Sequence, residues 1–397
     1  YKWPPGQIYA EAERNANSLV LPRRNSINGR QAKYTQKPSA MQTFINIRPL
    51  TILSGVIFMT CVFVTCLLCS GTAAAQDDMD QETMSPETKA QEESRQMRFA
   101  VTEYSANFLR EKPDFAAELG NQLLMGTPVT ILAEEGYWRL VLSPDPYMAW
   151  CVDRGLTEMT ELELKEYLKA PKYICTALYS QIYTCPDRSS EKVSDLVAGD
   201  LMLNAGKAAK GFVRILLPSG KEGFVPKKDV EDFAGWAAKA KADSKSILST
   251  AEQLLGVPYM WGGTSVKGLD CSGFTRLVWL LNGVLLPRNA SQQALTGKEV
   301  PPTQEYLAPG DLLFFGRDGI VTHVGIYAGE GRFIHASGSV RRSSLNPGDP
   351  DYYELSDRLM SARRVIGEED MESGVVSIRR SAAYFPQEDE QEYRQFD

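Results

Sequence analysis

Gly256-Val257-Pro258-Tyr259-Met260-Trp261-Gly262-Gly263, followed four residues later by Gly268-Leu269-Asp270-Cys271-Ser272-Gly273-Phe274, is the stretch on which the reading of this chain turns. Its first half is a glycine-rich loop. From Thr275 to Leu281 the apolar residues fall at helical spacing, so Cys271 is predicted in the first turn of a helix. Unpaired backbone N–H groups and the helix dipole stabilise a thiolate there and lower its pKa. A thiolate so placed is a nucleophile, and its own amide can serve an oxyanion. The same position also suits a small buried core cysteine, and position alone does not choose between the two.

The chain holds only two histidines, His323 and His335, so any histidine chemistry must use one or both. They lie twelve residues apart on the strand-like segments 322–327 and 332–336, joined by Gly329-Glu330-Gly331. A hairpin with an even pairing sum puts both side chains on one face as diagonal neighbours, roughly 7–8 Å apart at the backbone. One imidazole can then serve the thiol as base while the other orients it. Two unrelated histidines are one rival reading. A Cys-His-His zinc site is another, though the usual ligand spacing is missing.

Outward from this centre, 237–255 is rich in Ala, Lys, Leu and Ser without Gly or Pro and reads as a helix. Strand-like segments follow at 311–315, 322–327, 332–336 and 359–365. Helices first and an antiparallel sheet after them predict an α+β domain over 233–366. Upstream, short alternating segments broken by Gly and Pro predict small β-domains. Gly136-Tyr137-Trp138-Arg139-Leu140-Val141-Leu142 returns 75 residues later as Gly211-Phe212-Val213-Arg214-Ile215-Leu216-Leu217. Two related modules are therefore expected, at 98–168 and 171–232, and they resemble bacterial SH3-like barrels in length and turn placement.

The composition, 43% hydrophobic and 23% charged, excludes a fully disordered chain, a collagen and a small disulfide scaffold. The formal net charge is −7, and from residue 76 onward 35 basic residues face 48 acidic ones, a balance of −13. That excludes nucleic acid as a natural partner, because phosphate backbones are held by Lys and Arg. Residues 49–76 carry no charge; Arg48 precedes them and Ala73-Ala74-Ala75 closes the apolar run. This matches a secretory signal cut after Ala75, with Met41 as the start and 1–40 as an extension. An uncleaved membrane anchor is the alternative. A lipid on Cys69 fits less well, since Leu68 stands where a small residue is wanted. Each reading puts the body outside the cytoplasm, in the periplasm or beyond the cell. Residues 76–97 hold seven Asp/Glu and read as a disordered linker; 367–397 reads as an acidic tail that wraps the surface or stays loose. Past the signal stand Cys151, Cys175, Cys185 and Cys271, with no C-x-x-C pair to suggest structural zinc. Whether Cys175 and Cys185 pair is left open by their spacing. No metal or organic cofactor is implied, and a monomer is expected.

Five runs stand in order across 240–366: Pro258 to Gly263, Gly268 to Phe274, Ala308 to Phe315, Thr322 to Tyr327 and Phe333 to Ala336. Together they resemble the NlpC family of papain-like cell-wall peptidases. The resemblance implies a papain-like domain with Cys271 as nucleophile, His323 as base and His335 as its orienter. With the two SH3-like modules included, 98–366 resembles the dipeptidyl-peptidase VI group, γ-D-glutamyl-L-diamino acid endopeptidases acting on peptidoglycan fragments. That likeness implies that Glu118 and Asp270 hold the free amine of a terminal L-Ala in a closed pocket. It also implies that Tyr147, Tyr259, Trp261 and Ser272 contact the substrate. One departure stands out: the family often shows Arg-Asp after the nucleophile helix, and here Asn289 follows Arg288. A general wall endopeptidase and a wall-binding module with a dead catalytic domain are the rivals. The intact Cys/His/His set argues against the second.

Overall fold

The two copies of the sequence repeat fold into two antiparallel sheets of the same strand order. The computed structural model describes residues 97–207 and 209–386, so the expectations for the extension, signal and nearly all of the linker lie outside the described residues. The first module consists of β1 (Arg98–Thr102), β2 (Asn107–Arg110), β3 (Leu119–Leu123), β4 (Pro128–Glu135), β5 (Trp138–Leu142), β6 (Met148–Val152) and β7 (Leu156–Met159). Helix α1 (Glu161–Lys169) follows, started by a capping box between Thr160 and Glu163. The second module consists of β8 (Lys172–Cys175), β9 (Tyr179–Tyr183), β10 (Lys192–Val197), β11 (Leu201–Asn204), β12 (Phe212–Leu216), β13 (Glu222–Pro226) and β14 (Val230–Asp232). The strand orders are β3-β2-β6-β5-β4-β1-β7 and β10-β9-β13-β12-β11-β8-β14. Each position in the second is the first advanced by seven strands. The repeated Gly-led segment supplies β5 in one module and β12 in the other.

The expected helix over 237–255 is two helices, α2 (Phe233–Lys239) and α3 (Ser244–Gln253). The chain is extended at Ala240, and the Asp243 side chain accepts from Ser246 N at 2.8 Å to start a new helix. A good N-cap outweighs a run of helix-favouring residues. Next come β15 (Thr264–Ser265), β16 (Gly268–Leu269), α4 (Cys271–Leu280), β17 (Val284–Leu285), α5 (Ala290–Gln293) and β18 (Lys298–Val300). The remaining strands are β19 (Leu312–Arg317), β20 (Ile320–Gly329), β21 (Arg332–Ser337), β22 (Ser339–Ser344), β23 (Leu359–Arg364) and β24 (Val376–Ser377). A six-stranded sheet runs β18-β23-β19-β20-β21-β22. Helix α4 lays Phe274, Leu277 and Val278 on Phe314, Val324, Ile326 and Ile334 of this sheet. Helices therefore precede an antiparallel sheet, as the pattern required.

Cys175 and Cys185 are both free thiols, one buried and one exposed. The described part of the tail, 368–386, packs on the body: β24 pairs with β17, Ile378 is buried, and Phe385 stacks on Phe233 at 5.0 Å between ring centres, while 387–397 lies outside the described residues. No helix among the described residues is long and apolar enough to cross a membrane.

Candidate active site

Cys271 opens α4, and the residue before it caps the helix: Asp270 Oδ1 accepts from Gly273 N at 2.7 Å. Gly273 can be nothing larger. A Cβ there would stand 1.9 Å from the Gly263 carbonyl oxygen, which also accepts from Asp270 N at 3.0 Å. The preceding loop runs beside the start of β22: Gly256 N donates to Val340 O, Val340 N to Val257 O and Tyr259 N to Gly338 O, at 2.8–2.9 Å. This brings the Tyr259 phenol to the thiol, so that burial first, and then the charge of Cys271, raise its pKa.

The histidines meet as the hairpin register predicts. Gly325 pairs with His335, which makes His323 the diagonal neighbour of His335. Their rings close to a hydrogen bond, His323 Nε2 to His335 Nδ1, at 2.7 Å. Gly325 makes the room: a Cβ there would come within 2.8 Å of the Phe333 ring and 3.1 Å of His335 Cβ. Phe315, Phe333 and Tyr353 enclose the pair, with the Tyr353 ring centre 5.6 Å from His323 and 4.7 Å from His335. With His323 Nε2 engaged by His335, its Nδ1 is left to face a reacting group. The Cys271 thiol lies within reach of the backbone N–H of Val324, the residue after His323, and of Ser272.

The electrostatics differ from the simple helix-terminus expectation. Burial pushes the Cys271 thiol up to about 12, with the Asp270 charge adding to the rise and the two N–H groups opposing it. Burial also holds His323 down at about 4, with Arg341 adding to the fall and Asp270 opposing it. His335 is pushed further down, by burial and then by its neighbours His323 and Arg341. The resting state is thus a neutral thiol beside neutral imidazoles, because a dry site disfavours both members of an ion pair. The Ser272 N–H at the helix terminus acts in the predicted direction and is outweighed by desolvation.

Around the cap lies a charged network. Arg288, 3% exposed, donates from Nη2 to Asp270 Oδ2 at 2.5 Å and from Nη1 to Ser272 Oγ at 2.9 Å. Gly262 N donates to Asp270 Oδ2 at 3.0 Å, and Ser272 Oγ donates to Oδ1 at 3.2 Å. Gln293 ties the loop down, donating to Ser272 O and Pro287 O and accepting from Thr275 Oγ1. Asp270 and Ser272 are therefore at the site, already engaged by Arg288. Tyr147 is half-buried with its hydroxyl over Gly120, and it feels the charges of Arg288 and Asp270. Trp261 is 62% exposed at the rim. Glu118 is exposed just before β3, where the next carbonyl, Leu119 O, would stand 2.4 Å from a Cβ on Gly262. A carboxylate there meets solvent, so the amine pocket is not the closed one expected. Asn289 N donates to Gln292 Oε1 at 3.1 Å as the N-cap residue of α5, a place asparagine fills well.

Residues 256–363 match the NlpC/P60 family, and residues 109–155 match the bacterial dipeptidyl-peptidase Sh3 domain. The chain is 32% identical over 252 residues to a γ-D-glutamyl-L-lysine dipeptidyl-peptidase of Bacillus cereus, covering 60% of this chain and 74% of that one. The chain belongs to the NlpC/P60 family. Dipeptidyl-peptidase 6 of Lysinibacillus sphaericus is 28% identical over 265 residues, 64% of this chain and 94% of its own. The crystal structure of an NlpC/P60 family protein from Bacillus cereus superposes with a TM-score of 0.59 at 26% identity, covering 67% of this chain and 99% of that one.

For this NlpC/P60 chain, sequence reasoning passed over Ser343, Tyr353, Gln122 and the role of Arg288. An arginine two residues after Leu286, in an otherwise apolar run, was the one available signal. Arginine is rarely buried without an ionic partner, and Asp270 was the nearest acidic residue before it.

Proposed function

We propose that this protein is an exported cysteine endopeptidase that hydrolyses the γ-D-Glu–diamino acid bond of short peptidoglycan peptides with a free N-terminal L-Ala. The observation that supports this reading is the seating of β3 against the Gly262 turn, where Leu119, the residue after Glu118, meets the loop that leads to Cys271. A peptide whose amine meets Glu118 would lay its second residue toward the thiol. His323 Nδ1 takes the thiol proton as Sγ attacks the γ-carbonyl carbon, and the Cys271 amide faces the oxyanion. The same proton then goes to the departing amine of the diamino acid. Water hydrolyses the thioester, with His323 again as base. Burial disfavours both charged forms in the resting site, so the proton is expected to move as the substrate is attacked.

The test is incubation with L-Ala-γ-D-Glu-L-Lys and L-Ala-γ-D-Glu-diaminopimelate, with products identified by mass. Release of L-Ala-γ-D-Glu and the free diamino acid is expected; intact folded enzyme that leaves both peptides uncut overturns the proposal. One observation favours the general wall endopeptidase instead: Glu118 and Trp261 are exposed, so the site is open on that side. N-acetylated tripeptide separates the two. Loss of one charge-assisted hydrogen bond at an exposed carboxylate predicts about a tenfold fall in kcat/KM on acetylation, matched by Glu118→Gln on the free peptide. Equal cleavage of both peptides gives the site to the general endopeptidase.

A further inference from the structure

The hydrogen-bonded row that starts at His323 does not stop at His335. His335 Nε2 lies 3.0 Å from Ser343 Oγ on β22, and His335 and Ser343 are both buried, at 0% and 2% exposure. The three residues stand on three adjacent strands. Gly325 pairs with His335, and His335 pairs with Arg341, so each member is the diagonal neighbour of the next. We propose that Ser343 is a positioning residue whose oxygen accepts a hydrogen bond from His335 Nε2–H, fixing the tautomers that leave His323 Nδ1 free to take the thiol proton. The inference rests on the reading of Cys271 as nucleophile and His323 as its base.

A neutral imidazole has one N–H and one bare nitrogen, so two rings and a hydroxyl can be filled in two directions. In the first, His323 Nε2–H donates to His335 Nδ1, His335 Nε2–H donates to Ser343 Oγ, and His323 Nδ1 presents a lone pair. In the second, Ser343 O–H donates to His335 Nε2, His335 Nδ1–H donates to His323 Nε2, and His323 Nδ1 is already protonated. Only the first direction leaves a base. The ring-to-ring bond is the same length either way, so the choice is made at the far end, where Ser343 stands.

Proton transfer sharpens the requirement. When the thiol proton reaches Nδ1, His323 becomes an imidazolium with an N–H on each nitrogen. The first direction meets its Nε2–H with the lone pair of His335 Nδ1. The second would set two N–H groups against each other across 2.7 Å in a buried pair, too close for anything to separate them. A hydroxyl that rotates to accept therefore supports both the resting base and the charged intermediate. An alanine there leaves either an orphan N–H or an orphan lone pair, and a buried orphan N–H is the less tolerated. The second direction then gains.

The chain's only two histidines are the ones at issue, so tag-free protein labelled with ¹⁵N-histidine shows four ring nitrogens and no others. Both rings are expected as Nε2–H tautomers. Ser343→Ala should shift His335 toward the Nδ1–H form and lower kcat on L-Ala-γ-D-Glu-L-Lys about tenfold with KM unchanged. Alkylation of Cys271 by iodoacetamide should slow in parallel, and Ser343→Thr should restore all three readouts. An Nδ1–H tautomer at His335 in the wild type overturns the proposal, as do unchanged tautomers and rates in Ser343→Ala. If the wild type leaves the tripeptide uncut while tautomer and alkylation respond as stated, the substrate assignment fails and the role of Ser343 stands.

Discussion

At the scale of single residues, burial holds both proposed reactants, the Cys271 thiol and the His323 imidazole, away from their charged forms. The thiol is pushed up to about 12 and His323 down to about 4, each chiefly by burial. A base must be neutral to accept a proton, so activity is present above the His323 pKa and lost as pH falls through it. The acid limb of kcat/KM is therefore expected near 4, well below the ordinary histidine value of about 6.5. A limb at 6.5 in a pH–rate profile would show that the imidazole is not desolvated. The same neutrality makes the thiol dependent on its base. His323→Ala should abolish turnover and slow alkylation of Cys271 by at least about tenfold, while exposed Cys185 reacts at an unchanged rate in both proteins. Cys151 and Cys175 are buried and should label last.

At the scale of elements, two glycines do what side chains cannot. Gly273 lets the first turn of α4 touch the Gly263 carbonyl, and Gly325 lets two imidazoles meet across a hairpin. Gly273→Ala forces a Cβ to within 1.9 Å of backbone that is itself hydrogen-bonded, so the turn or the loop must shift. A loss of about 1–3 kcal/mol is expected from urea denaturation, with activity lost in parallel because Cys271 moves with the turn. The start of α4 and the register of the hairpin were legible in sequence because both are local: an apolar period, and a pairing sum across a short turn. The break between α2 and α3 was hidden by a uniform helix-favouring composition, and only the cap at Asp243 reveals it. Ser343 was illegible, and Arg288 signalled only by its apolar surroundings, for another reason. Their partners lie 8 and 18 residues away, across strand pairing or a loop that no local pattern specifies. The pKa of Cys271 was misjudged because sequence shows the helix terminus and not the burial around it.

At the scale of the molecule, the three parts are joined by polar bonds, buried at Gln122 and Asp200 and part-buried at Lys267. Gln122 of β3 accepts from Thr264 N at 2.9 Å and Ser265 Oγ at 3.0 Å through Oε1, and its carbonyl accepts from Thr264 Oγ1 at 2.7 Å. Lys267 closes a second joint, donating to Ser105 of the first module at 2.7 Å and pairing with Asp195 of the second at 2.8 Å. Asp200 makes a third, its two oxygens accepting from Val197 N and from Met125 N of the first module. The repeat in the sequence announces two modules but says nothing of these joints, since the residues that make them fall outside the repeated segments. Their position assigns them a task. The loop from Tyr259 to Gly263 is held on one side by β22 and on the other by β3, so Gln122 sets how far Glu118 stands from the nucleophile. Gln122→Ala removes the acceptor for a buried backbone N–H and frees that side of the loop. KM for the free tripeptide should rise about five- to tenfold, while alkylation of Cys271, which depends on the His323–His335–Ser343 row and the turn of α4, keeps its rate. If KM holds and alkylation slows, the first module is supporting the nucleophile rather than placing the substrate, and the amine contact at Glu118 loses its structural basis.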